Sequence, residues 1–184
     1  MSRNAQIYSV IIAAAVVSLM LIGVTSTYAQ NVQNGKFRAK LDANNEIPPV
    51  NSTAEGVINF KTKDDILTWK MNVSGITDAT GLKIYQGMKT ENGQAIVDLL
   101  KSSKHSDRVD GMQMRGNITE ADLVGTMQGK TIEDLKTLLG SENTYVNVQT
   151  EDHPDGMIRG QVKLKGTDDS STASMNMTSS SNAQ

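Results

Sequence analysis

"ILTWKMNV", residues 66–73, alternates with a period of two. Leu67, Trp69, Met71 and Val73 fall on one side, and Thr68, Lys70 and Asn72 on the other. Successive side chains of a strand point to opposite faces, so the stretch predicts a strand with one face in a core and one in water. The same period recurs outward in both directions. "FRAKL" (37–41) aligns Phe37, Ala39 and Leu41, and "MQMRGNI" (112–118) aligns Met112, Met114 and Ile118. "YVNVQT" (145–150) aligns Val146 with Val148, and "IRGQVKL" (158–164) aligns Ile158, Val162 and Leu164. Many half-buried strands with short connections predict an all-β chain of mostly antiparallel pairs, a sandwich or a barrel.

The connections carry their own chemistry. "NNEIPPV" (44–50) holds Pro48 and Pro49, which donate no backbone N–H and stop a strand. "KDD" (63–65), "ENG" (91–93) and "HPDG" (153–156) read as turns between apolar runs. One helix interrupts the strands. In "TIEDLKTLLG", Thr131 stands as N-cap with Asp134 three residues on. Ile132, Leu135, Leu138 and Leu139 recur at helical spacing, and Gly140 is placed to close the end. The spacing predicts a helix over 131–139 that crosses between strands. A shorter version, "TEADL" (119–123), predicts a single turn.

The N-terminus has a different composition. Arg3 precedes an apolar run from Ile7 to Val24, and "TSTYAQ" places Thr27 and Ala29 at −3 and −1 of a cut before Gln30. These are the parts of a secretory signal over 1–29. The run also approaches the roughly 20 residues that span a bilayer, so an uncleaved anchor is the alternative. Either way residues 30–184 are expected outside the cytoplasmic membrane, secreted or at the cell surface. Four N-x-S/T sequons, at Asn51, Asn72, Asn117 and Asn176, are glycosylation candidates in that exported part. Residues 30–35 read as a linker, 36–165 as the folded domain and 166–184, rich in Ser and Thr, as a disordered tail.

Composition removes several function classes. Cysteine is absent, which excludes disulfides, thiolate nucleophiles and cysteine-based zinc sites. The core must therefore stabilise the domain, and about 130 residues is enough for one. Formal net charge is −2, which gives no indication of nucleic acid. A membrane partner is expected only through the N-terminal segment. The two histidines give no Ser–His–Asp arrangement. His105 falls in "KSSKHSD", read as a polar loop, and Glu46 belongs to no paired-carboxylate pattern. No catalytic residue and no cofactor is expected.

"FRAKLDANNEIPPV", "ENGQAIVDL", "GNITEADLVG" and "TIEDLKTLLGSENTYVNVQTEDHPDGMIRGQ" follow one another in the chain. Together, over Phe37 to Gln161, they resemble the CHRD domain, named for its occurrence in chordin. The resemblance implies an extracellular β-sandwich of immunoglobulin-like type and no defined activity. Joined to the periodicity, it predicts an antiparallel immunoglobulin-like sandwich with one short crossover helix, and the leading reading is a non-enzymatic, exported binding or structural module that acts by protein or glycan contact. The family pattern tends to carry histidines as A-H-I-H-x-G and Y-V-N-V-H-T. This chain reads "LKIYQG" (82–87) and "YVNVQT", so Lys83, Tyr85 and Gln149 stand in those places. The H-x-H pair resembles that of copper–zinc superoxide dismutases. A metal-dependent role, dismutase-like or copper-handling, is the competing reading. It is disfavoured here because an ammonium has no lone pair to offer.

Alternation also defines the candidate binding residues. Lys83 and Tyr85, Asn147 and Gln149, and Arg159 and Gln161 lie opposite the apolar side of their strands. If the three strands are neighbours, they form a polar patch suited to a carboxylate, a sugar acid or an anionic protein surface. The plainer reading is the solvated outer face of a sheet. Arg159 is expected to pair with an acidic loop residue, Asp155 or Glu151. Glu151, Asp152, His153 and Asp155 lack the spacing of a calcium loop and read as a turn. Met112 and Met114 are expected in the core, and Met175 and Met177 leave a weak copper reading in the tail.

Overall fold

The computed structural model describes residues 35–165, apart from 64–65, 102 and 109–110. The expected signal or anchor, most of the linker, the tail, Asn176 and the Met175/Met177 pair lie outside the described residues. Among the described residues no helix is long and apolar enough to cross a membrane.

The chain is all-β and antiparallel. Its strands are β1 (Lys36–Asp42), β2 (Glu55–Lys63), β3 (Ile66–Ser74), β4 (Gly81–Gln86) and β5 (Gln94–Asp98). They continue as β6 (Lys104–Arg108), β7 (Gly111–Ile118), β8 (Thr144–Gln149), β9 (Ile158–Gln161) and β10 (Lys163–Leu164). The hydrogen-bonded order is β5-β4-β8-β9-β1-β2-β3-β7-β6, with β10 beside β1. β1 is the seam. One edge pairs with β2 along its whole length, and the other is shared between β9 and β10. The sheet curls about this seam into a sandwich-like fold, as the periodicity predicts.

Register explains why the core closes. Phe37, Phe60, Trp69 and Gly116 lie side by side across β1, β2, β3 and β7. Ala39, Ile58, Met71 and Met114 form the next row. On the other half, Ile84, Val146 and Gly160 align, as do Leu82, Val148 and Ile158. All the side chains in these rows are buried, Met114 among them, and Met112, the other methionine of the M-x-M pair, is buried opposite Val73. Each fully buried Leu, Ile, Phe or Met stabilises the fold by about 1.5–3 kcal/mol. Gly116 is where the sheet admits the indole, since a Cβ there would press on the Trp69 ring.

The helix α1 (Ile132–Gly140) joins the β7 half to the β8 half. Thr131 caps it, with its hydroxyl and the Asp134 side chain forming the reciprocal box that the spacing predicts. Ile132, Leu135 and Leu139 are buried against the core. The predicted closure differs in one residue. Gly140 remains helical, Ser141 is the C-cap, and the left-handed position is taken by Glu142 at φ 56°. "TEADL" forms a 3₁₀ turn at Glu120–Asp122 with Thr119 and Asp122 boxed. Two further 3₁₀ turns, Ala43–Asn45 and Gly125–Met127, have no periodic signal and follow from how their loops pack. The "KSSKHSD" loop is corrected. Lys104–Arg108 is an edge strand on β7, because pairing to β7 supplies backbone partners that local polarity does not reveal.

Candidate functional site: a loop-capped polar face

β4, β8 and β9 are neighbours, so the six candidate residues share one face. Lys83 lies beside Asn147, and Asn147 beside Arg159. Tyr85 lies beside Tyr145, and Tyr145 beside Gln161. Gly81 lies beside Gln149. The reading of this face as solvated is corrected at its centre. Arg159 is 2% exposed and Asn147 4%. Three loops, 43–50, 87–93 and 150–157, cover them. Lys83, Tyr85, Gln149 and Gln161 are half-buried at the margins.

Arg159 holds the centre. Its guanidinium lies 3.6 Å from the centroid of the Tyr145 ring. Tyr145 in turn stacks on Tyr85, with centroids 5.2 Å apart and an interplanar angle of 7°. A cation on a desolvated aromatic face gains electrostatic stabilisation from the ring quadrupole. The guanidinium donates to Asn92 Oδ1 at 2.9 Å and to the carbonyls of Met88 at 3.0 Å and Glu91 at 2.9 Å. The expected partners Asp155 and Glu151 are corrected. Loop 87–93 lies over β9 and takes the donors, while the side chains of Asp155 and Glu151 remain exposed.

The other polar residues fasten the remaining loop ends. Asn147 Nδ2 donates to both carboxyl oxygens of Glu46, at 3.0 and 3.1 Å. Gln149 Nε2 donates to the Pro154 carbonyl at 2.7 Å and reaches the Tyr85 hydroxyl at 3.4 Å. Gln161 Nε2 donates to the carbonyls of Gly87 at 3.0 Å and Glu142 at 2.7 Å. The Tyr145 hydroxyl accepts from the Gly93 N–H at 3.0 Å. Asn92 Nδ2 ties loop 87–93 to the Ile47 carbonyl at 3.1 Å.

Glu46 is 6% exposed, and burial pushes its carboxyl up to about 7, against the opposing pull of the Arg159 charge. Burial likewise raises the Tyr85 phenol, and Tyr145, Glu46, Asp98 and Asp155 add to the effect. A cavity of about 240 Å³ lies beside Glu46, walled by Pro48, Pro49, Asn92, His153 and Asp155. The acidic loop is a turn, as predicted. The Gly156 N–H donates to the His153 carbonyl at 3.1 Å, and the His153 N–H to Thr150 Oγ1 at 3.2 Å. Among the described residues no three His, Asp or Glu side chains gather closely enough to share an ion.

Glu46, Asn92 and Tyr145 are the residues that sequence reading missed. Tyr145 shares the parity of Asn147 and Gln149, so alternation could have added it. Glu46 and Asn92 sit in loops, where no period tells which way a side chain turns. The sequons at Asn51, Asn72 and Asn117 are exposed.

The pattern that defines the CHRD domain matches residues 37–162, which takes in β2 to β9, all of β1 but its first residue, and every loop of this face. The chain belongs to the CHRD-domain family. No curated protein and no solved structure matches it. In this CHRD domain the three positions that resemble the family's histidine places converge on one part of the face. Tyr85 and Gln149 are in contact, and Lys83 lies one side chain along on the same strand face.

Proposed function

We propose that this CHRD domain is a non-enzymatic binding or structural module that works outside the cytoplasmic membrane, secreted or at the cell surface, by contact with a protein or a glycan. The signal-like start of the chain supports export. The observation that carries the binding role is the use of Asn147, Gln149, Arg159 and Gln161 as loop anchors. They hold three loops in one arrangement before any partner arrives, and preorganised loops lose little freedom on binding. Lys83, Tyr85 and Gln149 are the half-open residues at the margin and are the contact residues in this reading. Arg159 and Asn147 act through the loops they hold.

The test is retention of the full chain on a cell-envelope fraction. Saturable retention is expected, with protease and glycosidase treatment of the envelope telling a protein partner from a glycan. A Lys83→Glu variant should be retained several-fold less. Equal retention of that variant would remove this margin as the contact. No saturable retention of the wild type would remove the binding reading.

A further inference from the structure

The outward face of the other half of the sheet has a charge pattern that the sequence does not display. Register places Lys163, Arg38, Asn59, Lys70, Arg115 and Lys104 side by side across β10, β1, β2, β3, β7 and β6. The row holds five cations in those six places. Adjacent strands lie about 4.8 Å apart, so the row runs roughly 24 Å. A second row beside it reads Lys36, Lys61, Thr68 and Asn117. Asp42 and Glu55 face each other two steps or more away, at one end of the β1–β2 pair. The chain as a whole has a formal charge of −2, so this is segregation of charge onto one face.

Two cavities open along the rows. One of about 760 Å³ lies over the strand backbone between Lys61, Lys70, Lys104 and Arg115, with Asp122 as the one carboxylate in its wall. One of about 350 Å³ lies at the seam, with Arg38, Lys40, Lys89 and Gln161 in its wall. Both fall within the ~300–1,000 Å³ typical of small-ligand sites. Among the described residues no carboxylate comes within 4 Å of Arg38, Lys40, Lys70, Lys89 or Arg115. Arg38 Nε, a buried donor in the wall of the seam cavity, has no acceptor.

We propose that this face binds an acidic polysaccharide, laid across the strands with its carboxylate or sulfate groups on the cation row. Repeated cations at strand spacing suit a linear polyanion. The Asn59 amide, and the Thr68 hydroxyl, which donates to the Lys61 carbonyl and keeps its acceptor side, suit sugar hydroxyls, which a purely charged lipid surface does not require. The inference rests on the reading of the chain as an exported binding module and names a ligand class for it.

The full chain, produced without N-glycans because Asn72 and Asn117 lie on this face, is titrated onto polygalacturonate, dextran sulfate, neutral dextran and phosphatidylglycerol vesicles. Binding to polygalacturonate or dextran sulfate is expected, and the two arms separate carboxylate from sulfate. A Lys70→Glu/Arg115→Glu variant should bind at least about tenfold more weakly, since removing complementary charge weakens encounter and complex alike. A Lys101→Glu/Lys130→Glu variant, equal in net charge but off this face, should bind as the wild type does. Lys61→Gln/Lys70→Gln repeats the test if charge reversal impairs folding. Equal losses in the two charge-reversal variants, binding to neutral dextran as strong as to the polyanions, or binding confined to the vesicles would each overturn the proposal. Envelope retention that survives such an outcome leaves the binding-module reading standing, and loss of that retention with polyanion binding intact does the reverse.

Discussion

The two polar sheet faces of this domain arise from the same alternation and meet opposite fates. On β4, β8 and β9 the polar residues are covered by loops, and a guanidinium, an amide and a carboxyl become nearly inaccessible. On β1, β2, β3 and β7 they remain open, and lysines and arginines line up at strand spacing. The difference lies in the connections. The loops over the first face are long enough to fold back and carry carbonyls that the sheet residues can satisfy. β2 and β3 join through a short hairpin, which leaves their outer face uncovered. A buried polar group must find a partner or cost the fold its desolvation energy, whereas an open one finds water. Arg159 and Arg115 are the same residue under these two regimes.

The largest test of that contrast is Arg159→Ala. It removes the donors to Asn92, Met88 and Glu91 and the cation over Tyr145. A loss of about 3 kcal/mol or more is expected in urea unfolding. A loss below about 1 kcal/mol would mean that the loops are held by something else. Next is Gly156→Ala. Gly156 has φ +150°, and a Cβ there would collide with Asn147 Nδ2 and the Glu46 carboxyl. The change should cost about 2 kcal/mol through strain and displacement of loop 150–157. An unchanged melting temperature would show that this loop adapts freely.

Glu46 gives a pH signature that the open face lacks. Its carboxyl titrates near 7 in the folded chain against 4.5 for an ordinary glutamate. The folded state therefore binds more protons than the unfolded state between those values. Stability falls as pH rises through that window and is fully relieved of the penalty only below its lower end. Allowing for solvent screening, the effect is of order 1 kcal/mol. Urea midpoints at pH 5 and pH 8 should differ in the wild type, with pH 5 the more stable. Glu46→Gln should shrink that difference, and an identical difference in both proteins would clear Glu46 of the role. The smallest effect belongs to the open face. Lys70→Ala and Arg115→Ala should each change stability by no more than about 0.5 kcal/mol. A larger loss in either would mean that the row is structural as well.

Legibility followed the range of the interactions. Trp69, Met71, Met114, Val148 and Ile158 were readable as core because a two-residue period is local. Thr131 was readable as a cap because its partner Asp134 lies three residues away. Glu46 and Asn147 were not readable as a pair, since 101 residues separate them. The correction at Arg159 has the same origin, its partners lying 67 to 71 residues upstream. Edge strand β6 was hidden for a related reason, as its polar side chains gave no period and its pairing is with a later strand.

The sequence alone determined that this chain is all-β, where five of its strands and its helix lie, which of their side chains enter the core and which family it resembles. Those features rest on contacts within a few residues and on the alternation that burial imposes. Tertiary structure decided which polar face is roofed and which stays open, that Glu46 and Arg159 share one buried site, and that scattered lysines and arginines form a row. Those outcomes depend on strand order and register, through which residues far apart in the chain come within a few ångströms of one another.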